Sequence, residues 1–428
     1  MSQLRVQPSH NLRGTVHVPG DKSISHRALL LAAMAQGTSR ITGFLPSGDC
    51  RASLSCVRAL GVAVDVESPT DITVISAGIR APNQPLNCVR SGTTMRLLTG
   101  LLAGQPFDST LTGDPQLLRR PMRRVVDPLR EIGAEIDDTD GHAPLHIRGQ
   151  SLRGGVLRLD VASAQVKSAL LIAGLGADGP ITVELPGPAR DHTERILAAM
   201  GVRVEANGLA VTLYPIATPL PPLAIHVPGD LSSAAFPLVA AAIVPGSEVT
   251  VEGVGVNPTR TGLLEVLRDM GAHIEILDQH ERSNEPVANI RIHSAGLRGT
   301  KICGDRVVRM IDEFPILAVA ATQAEGRTIV RDAAELRVKE TDRILTVVGE
   351  LTKLGARIEP LPDGFVAEGP TRLHGGTVDS HGDHRLAMAL AVAGLVAEDV
   401  VTIENAERIN DSFPGFTQVM QVIGATCG

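Results

Sequence analysis

Apolar and polar positions form a unit that occurs six times along the chain, in which an amphipathic helical segment ends at a glycine and a short strand follows. Glycine suits this point because it adopts the left-handed conformation that caps a helix, and β-branched residues then favour a strand. The six glycines, at roughly 70-residue intervals, are Gly61, Gly133, Gly201, Gly271, Gly355 and Gly424. This period predicts six α+β modules, three in each half, although helix-to-strand joints of this kind also occur in α/β proteins without repeats.

A longer repeat supports the duplication. The phrase His-Val-Pro-Gly-Asp begins at His17 and again at His226. Four side chains that can donate to an anion follow the first copy, and these are Lys22, Ser23, His26 and Arg27. Small and apolar residues at 231–235 follow the second copy. The contrast predicts that the first copy has a chemical role and that the second copy serves packing. We expect the chain to cross between two domains at each phrase, with residues 20–227 in one domain and residues 1–19 and 228–428 in the other.

Polar and charged residues gather where the apolar helices are predicted to begin. These segments are 19–27, 90–96, 119–124, 163–167, 190–194, 312–313, 338–343 and 382–385. Helix N-termini bind anions because their backbone N–H groups are free, and lysine and arginine add donors. Taken alone, each segment also has a simpler explanation: a capped helix with solvated charges or, at 338–343, an exposed ion-paired first turn. Within 338–343, Lys339 and Arg343 are predicted to lie one helical turn apart on one face, beside Glu340. Together the segments predict convergence on a cleft between the two domains.

Composition narrows the possible partners. A net charge of −7, a single tyrosine and no tryptophan argue against a nucleic-acid partner, which would require phosphate neutralisation and stacking platforms. Residues 1–5 have no apolar signal core, and the longest apolar run, 386–397, is too short for a membrane span and is predicted to be a buried helix. The five cysteines lack CxxC spacing, so we expect neither disulfides nor a metal site, and a reduced cytoplasm as the location.

Eight motifs, in order along nearly the whole chain, closely resemble those of the 5-enolpyruvylshikimate-3-phosphate synthase (EPSP synthase) family of enolpyruvyl transferases. They are PGDKSISHR at 19–27, SGTTMR at 91–96, RPM at 120–122, SAQVKSA at 163–169, RDHTE at 190–194, Asp312, RVKETDR at 337–343 and GDHR at 382–385. The resemblance implies two inverse α/β barrel-like domains of three repeated α+β units each, with the active site in the cleft between them. It also implies transfer of the enolpyruvyl group of phosphoenolpyruvate to shikimate 3-phosphate in chorismate and aromatic amino acid biosynthesis.

The resemblance implies two overlapping sets of site residues and no cofactor. Those for shikimate 3-phosphate are Lys22, Ser23, Arg27, Ser163, Ala164, Gln165, Arg190, Asp312 and Lys339. Those for phosphoenolpyruvate are Lys22, Gly92, Arg120, Gln165, Arg343 and Arg385. The implied base is Asp312, assisted by Lys22, and the implied proton donor is Glu340. Thr93, Arg96 and His384 are implied to support these residues without contacting the substrates. Both substrates carry a phosphate and a carboxylate, so their approach requires local cations in a chain that is acidic overall.

The chain departs from the familiar plant and enteric form of this family at four places. It has SGTTMRL at 91–97 where that form has AGTAMRP, with Arg90 where that form has asparagine, and it has Ala164 for serine, Glu335 for asparagine and Asp411 for lysine. These differences resemble the bacterial class that is often less sensitive to glyphosate, although Gly92 would still leave room for that possible inhibitor. We expect a monomer.

Three other functions are less well matched. The sister enzyme, UDP-N-acetylglucosamine enolpyruvyl transferase, shares the fold and the donor but carries a catalytic cysteine on the loop corresponding to 112–115, where this chain has none. A non-catalytic anion-binding scaffold would be expected to lose Asp312 and Glu340. A nucleic-acid enzyme such as RNA phosphate cyclase is disfavoured by the charge and the scarce aromatics.

Overall fold

The computed structural model describes residues 3–428, so the first two residues of the second predicted domain lie outside the described residues. In this range the helices, numbered α1 to α14 in chain order, are Lys22–Met34, Gly48–Ala59, Gly92–Ala103, Pro115–Leu118, Arg123–Glu131, Ala164–Gly174, His192–Ala199, Leu231–Ile243, Gly262–Asp269, Asp305–Arg309, Phe314–Gln323, Arg343–Lys353, His384–Gly394 and Phe416–Val422. Two 3₁₀ helices span Ala334–Val338 and Ala406–Asp411.

The strands of the same range are numbered β1 to β23. They are Gln3–Val6, Arg13–His17, Gln36–Thr42, Ala63–Ser68, Asp71–Ala77, Leu86–Asn87, Ser109–Thr112, Glu135–Thr139, His142–Arg148, Gly155–Arg158, Ile181–Glu184, Val204–Asn207, Ala210–Leu213, Ala224–His226, Glu248–Gly255, His273–Arg282, Glu285–His293, Lys301–Ile302, Gly326–Val330, Ile358–Leu361, Gly364–Gly369, Gly376–Asp379 and Val401–Glu404.

These strands form six small sheets that share one plan. In each sheet a first strand runs parallel to a second, the second runs antiparallel to a third, and a fourth lies beside the third. The sheets are β14-β3-β5-β4, β6-β7-β9-β8, β10-β11-β13-β12, β2-β15-β17-β16, β18-β19-β21-β20 and β22-β23-β1. In the last sheet an antiparallel bridge between Val6 and Cys427 stands in the place of the fourth strand. The predicted six-module α+β fold is therefore confirmed.

The glycine at each helix-to-strand joint adopts the predicted backbone conformation. The φ angles of Gly61, Gly133, Gly201, Gly271, Gly355 and Gly424 are 84°, 100°, 78°, 97°, 88° and 98°. Values in this range are left-handed, which glycine adopts without the clash of a Cβ atom. Each module thus has a glycine at this joint because the backbone there is left-handed.

The described chain divides into two compact units. Unit 1 comprises the residues up to Pro19 together with Pro228–Glu281 and Pro286–Gly428, and unit 2 comprises Gly20–Val227 with Arg282–Glu285. Unit 1 is discontinuous because β1 and β2 pair with β23 and β15, which come much later in the chain. In unit 2, β14 returns to pair in parallel with β3.

Each unit has its own hydrophobic core around three helices that are buried on nearly all sides. These are α1, α3 and α6 in unit 2, and α8, α11 and α13 in unit 1. A helix that is apolar all round is typical of a core, and α13 covers most of the predicted buried run at 386–397. Close packing in unit 2 depends on Gly100 of α3, where an added Cβ would lie 2.0 Å from the carbonyl oxygen of Ala169 in α6. Among residues 3–428 there is no helix with the length and apolar character that crossing a membrane requires.

Candidate active site

The start of α1 carries the first cationic group of unit 2. Asp21 caps this helix by accepting a hydrogen bond from the backbone N–H of Ile24 at 2.8 Å. Lys22 comes next, and its Nζ lies 3.0 Å from Oδ2 of Asp49 in the first turn of α2, with both side chains 15% exposed. Asp49 was not predicted, because only the packing of α2 against α1 brings it to Lys22. The ion pair holds the partly exposed ammonium group at the helix start.

Arg27 connects the starts of three helices although its side chain is buried. Its Nη1 donates to the carbonyl oxygen of Ser23 at 2.9 Å, and its Nε donates to Oγ1 of Thr193 at 2.8 Å. Its Nη2 donates to Oγ of Ser168 at 2.8 Å and to the carbonyl oxygen of Ala164 at 3.4 Å. The guanidinium group therefore lies among α1, α6 and α7. The hydroxyl groups of Ser168 and Thr193, which sequence reasoning missed, fix its orientation.

The start of α3 brings two more arginines close to a glycine. A Cβ on Gly92 would lie 2.8 Å from Nη1 of Arg120 and 2.9 Å from Nη1 of Arg96. Nη1 of Arg96 donates to Oε1 of Gln165 at 2.8 Å, and Nε2 of Gln165 donates to Oγ1 of Thr93 at the same distance. The predicted residues Gly92, Thr93, Arg96, Arg120 and Gln165 thus form one group at the starts of α3 and α6.

The remaining predicted residues of unit 2 lie beside these groups. Ser163 caps α6 by accepting from the backbone N–H of Val166. Arg190, just before α7, donates to Oγ of Ser23 at 3.4 Å. Lys167, whose side chain is only 2% exposed, forms an ion pair with Glu194. Lys167 is therefore held inside the unit, while Lys22 and Arg190 stand nearer its surface.

His26 does not have the anion-donor role that its place in the first motif suggested. It is fully buried, and its Nδ1 lies 2.7 Å from Oγ of Ser53. Burial lowers the pKa of His26 to about 3, because the charged imidazolium would lose its water. Ser53 in turn bonds to Oγ1 of Thr94 at 2.7 Å, and Thr94 donates to Oγ of Ser91 at 2.7 Å. The neutral imidazole therefore belongs to a buried chain of hydroxyl groups that links α1, α2 and α3.

In unit 1 three cations surround one carboxylate. Asp312, just before α11, lies 3.8 Å from Nζ of Lys339, 3.7 Å from Nη1 of Arg343 and 3.9 Å from Nη2 of Arg385. Its side chain is 17% exposed, so solvent or a ligand still reaches it. The three cations stabilise the negative charge of Asp312. In unit 1 the cations therefore surround a partly exposed acid, Asp312.

Arg343 is the most deeply buried member of this group. Its Nε donates to Oδ2 of Asp383 at 2.7 Å, and its Nη2 donates to Oε2 of Glu340 at 2.7 Å. Burial by itself lowers the pKa of Arg343, but the charges of Asp383 and Glu340 outweigh it and raise that pKa above its usual value. Its Nη1, also buried, has no hydrogen-bond partner among residues 3–428. This donor faces Asp312 at 3.7 Å without forming a hydrogen bond.

The prediction that Lys339 and Arg343 share a helical face is wrong. The 3₁₀ helix Ala334–Val338 ends just before Lys339, whose backbone is extended, and α12 begins only at Arg343. The two side chains meet because both reach Asp312. An exposed ion-paired first turn is also excluded, since Arg343 is buried. Burial lowers the pKa of Lys339 from its ordinary value, although Asp312 opposes the shift.

The start of α13 completes the group in unit 1. Asp383 caps this helix by accepting from the backbone N–H of Arg385 at 2.9 Å while it also holds Arg343. Burial raises the pKa of Asp383, and the charge of Arg343 outweighs that effect and lowers it overall. His384 and Arg385 are 4% and 6% exposed. Asp411, where the familiar form of the family has lysine, ends the 3₁₀ helix Ala406–Asp411.

The second copy of the repeated phrase is buried, but it is not purely apolar. Asp230 caps α8 and accepts from Nη2 of Arg260 at 2.9 Å. The same Nη2 donates to Oγ of Ser232 at 2.7 Å, and the Ser232 hydroxyl donates to Glu313. Glu313, next to Asp312, therefore belongs to an interior ion network and does not cap α11 with its side chain. The packing role predicted for this copy holds for Leu231, while the network was missed because its partners are far apart in the sequence.

The fold and the residue groups of the two units define the class of protein. It is an α/β protein of repeated modules that gathers lysine and arginine at helix starts, as proteins that bind small polyanions do. The model of the family described as "EPSP synthase (3-phosphoshikimate 1-carboxyvinyltransferase)" matches residues 6–420. A 3-phosphoshikimate 1-carboxyvinyltransferase of Herpetosiphon aurantiacus is 52% identical over 96% of this chain and 97% of its own length. That of Brevibacillus brevis is 49% identical over 97% and 99%. A structure of EPSP synthase from Acinetobacter baumannii superposes with a TM-score of 0.89 at 42% identity, covering 100% of this chain and 99% of that one.

The chain belongs to the EPSP synthase family and is an enzyme, a transferase of the enolpyruvyl type.

Proposed function

We propose that the chain transfers the enolpyruvyl group of phosphoenolpyruvate to the 5-hydroxyl of shikimate 3-phosphate and releases phosphate. Its family membership and the relatives' names support the reaction. The proposal rests most directly on Asp312, a partly exposed carboxylate with three cations within 4 Å. A base beside cations suits the deprotonation of a hydroxyl group on a substrate that is itself an anion.

Shikimate 3-phosphate is assigned mainly to unit 2. Lys22, Ser23, Arg190 and the N-terminus of α6 offer donors to a phosphate, with Arg27 buried behind them. The α6 contribution comes from the region of Ser163, Ala164 and Gln165. Ala164 has no side-chain donor, so a backbone N–H takes the place of the serine hydroxyl found in the familiar form. Asp312 and Lys339 of unit 1 complete the set.

Phosphoenolpyruvate is assigned to residues of both units. In unit 1, Nη1 of Arg343 and the neighbouring Arg385 suit its carboxylate, since a planar guanidinium pairs with a carboxylate in two parallel bonds. In unit 2, Lys22, Arg120 and Gln165 suit its phosphate, and Gly92 leaves space beside Arg120. A ligand carboxylate on Arg343 would compete with Glu340 for this guanidinium group and free Glu340 to carry a proton.

The proposed reaction is an addition followed by an elimination. Asp312, assisted by Lys22, removes the proton of the 5-hydroxyl as its oxygen bonds to C2 of phosphoenolpyruvate, and Glu340 donates a proton to C3. The tetrahedral intermediate then loses a proton from C3 to Glu340, the bond from C2 to the phosphate oxygen breaks, and the double bond is restored. Inorganic phosphate leaves with the electron pair of that bond. Each step uses side chains alone, and no cofactor is proposed.

We further propose that the two units act as the two functional domains and that the active site needs both. A monomeric state, a cytoplasmic location and lower glyphosate sensitivity remain predictions from the sequence. Glyphosate binding by the site assigned to phosphoenolpyruvate would follow if Gly92 leaves enough room.

The test is phosphate release from phosphoenolpyruvate with two alternative acceptors. We expect turnover with shikimate 3-phosphate and none with UDP-N-acetylglucosamine. Release with the nucleotide sugar alone would assign the chain to the sister activity. No release with either acceptor, from a protein that is folded by circular dichroism, would contradict the proposal. The variant Glu340→Gln separates the steps, because it should abolish exchange of solvent deuterium into C3 of phosphoenolpyruvate while leaving the ligands bound.

A further inference from the structure

Unit 1 has a second group of potentially reactive side chains, on the sheet β2-β15-β17-β16. His273 and Glu275 lie on β16 and His293 lies on β17. One nitrogen of each imidazole and one carboxylate oxygen of Glu275 all lie within 4.8 Å of one another. Nε2 of His293 is 3.1 Å from Oε1 of Glu275, and the two imidazole centroids are 5.1 Å apart. Sequence reasoning expected no metal site because the cysteines lack CxxC spacing, and these three residues form no compact motif that would indicate one.

We propose that His273, Glu275 and His293 form a binding site for a divalent transition-metal ion such as Zn²⁺. Side chains two positions apart on a strand point to the same face, so His273 and Glu275 stand together beside His293 of the neighbouring strand. Two imidazoles and a carboxylate are a ligand set that zinc and related ions accept. Three protein ligands leave a coordination position for water or for a ligand from another molecule.

Closing the ligands on a metal needs only side-chain rotation. Zinc binds nitrogen and oxygen at roughly 2.0–2.2 Å, so the present spacing must contract. The side chain of His273 is 69% exposed, and those of Glu275 and His293 are 34% and 33% exposed. Packing therefore opposes the rotation of His273 least. The pairing of β16 with β17 brings the three side chains together in advance.

Glu248 of β15 is placed to give the support that metal-binding histidines usually have. It is the cross-strand neighbour of His293, and its Oε2 lies 3.7 Å from Nδ1 of that imidazole, so a small side-chain rotation would bring the two atoms to hydrogen-bond distance. A carboxylate that accepts from Nδ1–H fixes the tautomer in which Nε2 is free to bind metal. Here Nε2 is the nitrogen that faces Glu275. The two carboxylates on opposite edges of one imidazole thus have different roles, one as ligand and one as support.

Arg291 weakens the proposed site in its present form. Its Nη1 lies 3.7 Å from Oε2 of Glu275, so a bound cation would compete with the guanidinium for this carboxylate. Nε of Arg291 also donates to Oγ1 of Thr250 at 3.3 Å, which gives it an alternative partner. Removing this positive charge should therefore tighten metal binding, an effect opposite in sign to removal of a ligand.

The experiment is calorimetric titration of the full chain with ZnCl₂, without substrates, in a Cys303→Ser background because Cys303 is an exposed thiol. We expect one saturable site, lost in His273→Gln and His293→Gln. Glu248→Gln should lower the affinity on the order of tenfold, as for other supporting residues, and Arg291→Gln should raise it. The matched control is His17→Gln, since His17 pairs with Glu252 on the same sheet without a second histidine.

The proposal fails if the parent chain binds no zinc, or if His293→Gln and His17→Gln bind it equally well. Thermal unfolding of each variant without metal checks that the sheet is intact. The outcome is independent of the enzymatic reaction, because none of these residues is assigned to it, and phosphate release by the variants should match that of the parent.

Discussion

The two copies of the repeated phrase use one turn for different purposes. In both, an aspartate caps the helix that follows: Asp21 accepts from the N–H of Ile24 at 2.8 Å, and Asp230 accepts from the N–H of Ser232 at 2.9 Å. The residues after the cap differ at matching positions. Lys22, His26 and Arg27 of the first copy correspond to Leu231, Ala235 and Phe236 of the second. The turn is a property of the fold, while the side chains after it decide whether the helix start binds an anion or packs in a core.

The same contrast extends to the two groups of predicted site residues. In unit 2, Arg27 is oriented by hydroxyl and carbonyl groups, and every charged residue among the predicted site residues is a cation. In unit 1, the cations surround Asp312, and Arg343 also holds Glu340 and Asp383. We therefore expect changes in unit 2 to affect mainly binding and changes in unit 1 to affect mainly turnover.

The largest effect is expected from Asp312→Asn, which keeps the shape of the side chain and removes the base. Turnover should fall by roughly 10²- to 10⁴-fold, the usual contribution of a general base, while the dissociation constant of shikimate 3-phosphate changes far less. Steady-state phosphate release and calorimetry measure the two quantities. Asp269→Asn, in an exposed pair with Arg306, is the control and should behave as the parent. Equal losses of binding and turnover would make Asp312 structural.

The next largest effect is expected from Lys22→Met. Its comparison is Leu231→Met, at the equivalent position of the second phrase. Loss of the ammonium should weaken both substrates by roughly 10- to 100-fold, since hydrogen bonds to charged groups are worth about 1.5–3 kcal/mol. Leu231→Met conserves volume in a buried site and should leave binding unchanged. Calorimetry with each ligand provides the measurement. Unaltered phosphoenolpyruvate binding by Lys22→Met would remove Lys22 from that site.

A smaller effect is expected from His26, which has no titratable counterpart in the second phrase. The pKa of His26 is about 3 in the folded chain and 6.5 for an ordinary histidine, so the unfolded chain binds the extra proton. Its contribution to stability is complete above pH 6.5 and declines as the pH falls toward 3, by roughly 1.4 kcal/mol per pH unit. Urea unfolding at pH 7, 6 and 5 should show a shallower decline for His26→Gln than for the parent. Parallel curves would contradict a neutral, buried imidazole.

The smallest effect is expected from Gly92→Ala. The new methyl group would meet the ends of Arg96 and Arg120, which can rotate away at about 0.5–1.5 kcal/mol, so phosphoenolpyruvate should bind roughly 2- to 10-fold more weakly. Gly100→Ala, in the same helix, is the contrasting variant. Its methyl group meets the backbone of Ala169 and should lower the unfolding midpoint. A stability loss by Gly92→Ala as large as that of Gly100→Ala would show that Gly92 serves packing.

Features with a local cause could be predicted from the sequence, and features that depend on contacts between distant segments could not. The module pattern was predictable because the left-handed φ of glycines such as Gly61 is set by the residue itself. The helical relation between Lys339 and Arg343 was not, because a 3₁₀ segment interrupts the chain where the charge spacing suggested a helix. The neutral state of His26 and the Arg260–Glu313 pair depend on contacts between distant segments, for which the local sequence carries no signal. Burial alone does not separate binding candidates from interior residues, because Arg343 and Lys167 are both 2% exposed.

The discontinuity of unit 1 has a consequence for the order of folding on the ribosome. Residues 20–227 emerge as one stretch, so the sheets of unit 2 can form as soon as β14 is made. Gln3, however, must wait for Glu404 to be synthesised, a delay on the order of tens of seconds at ordinary elongation rates. During that interval β1 is a nascent strand with unpaired edges, whereas β2 can pair as soon as β15 is made. A chaperone that shields β1 would therefore suppress misassembly without touching the active site.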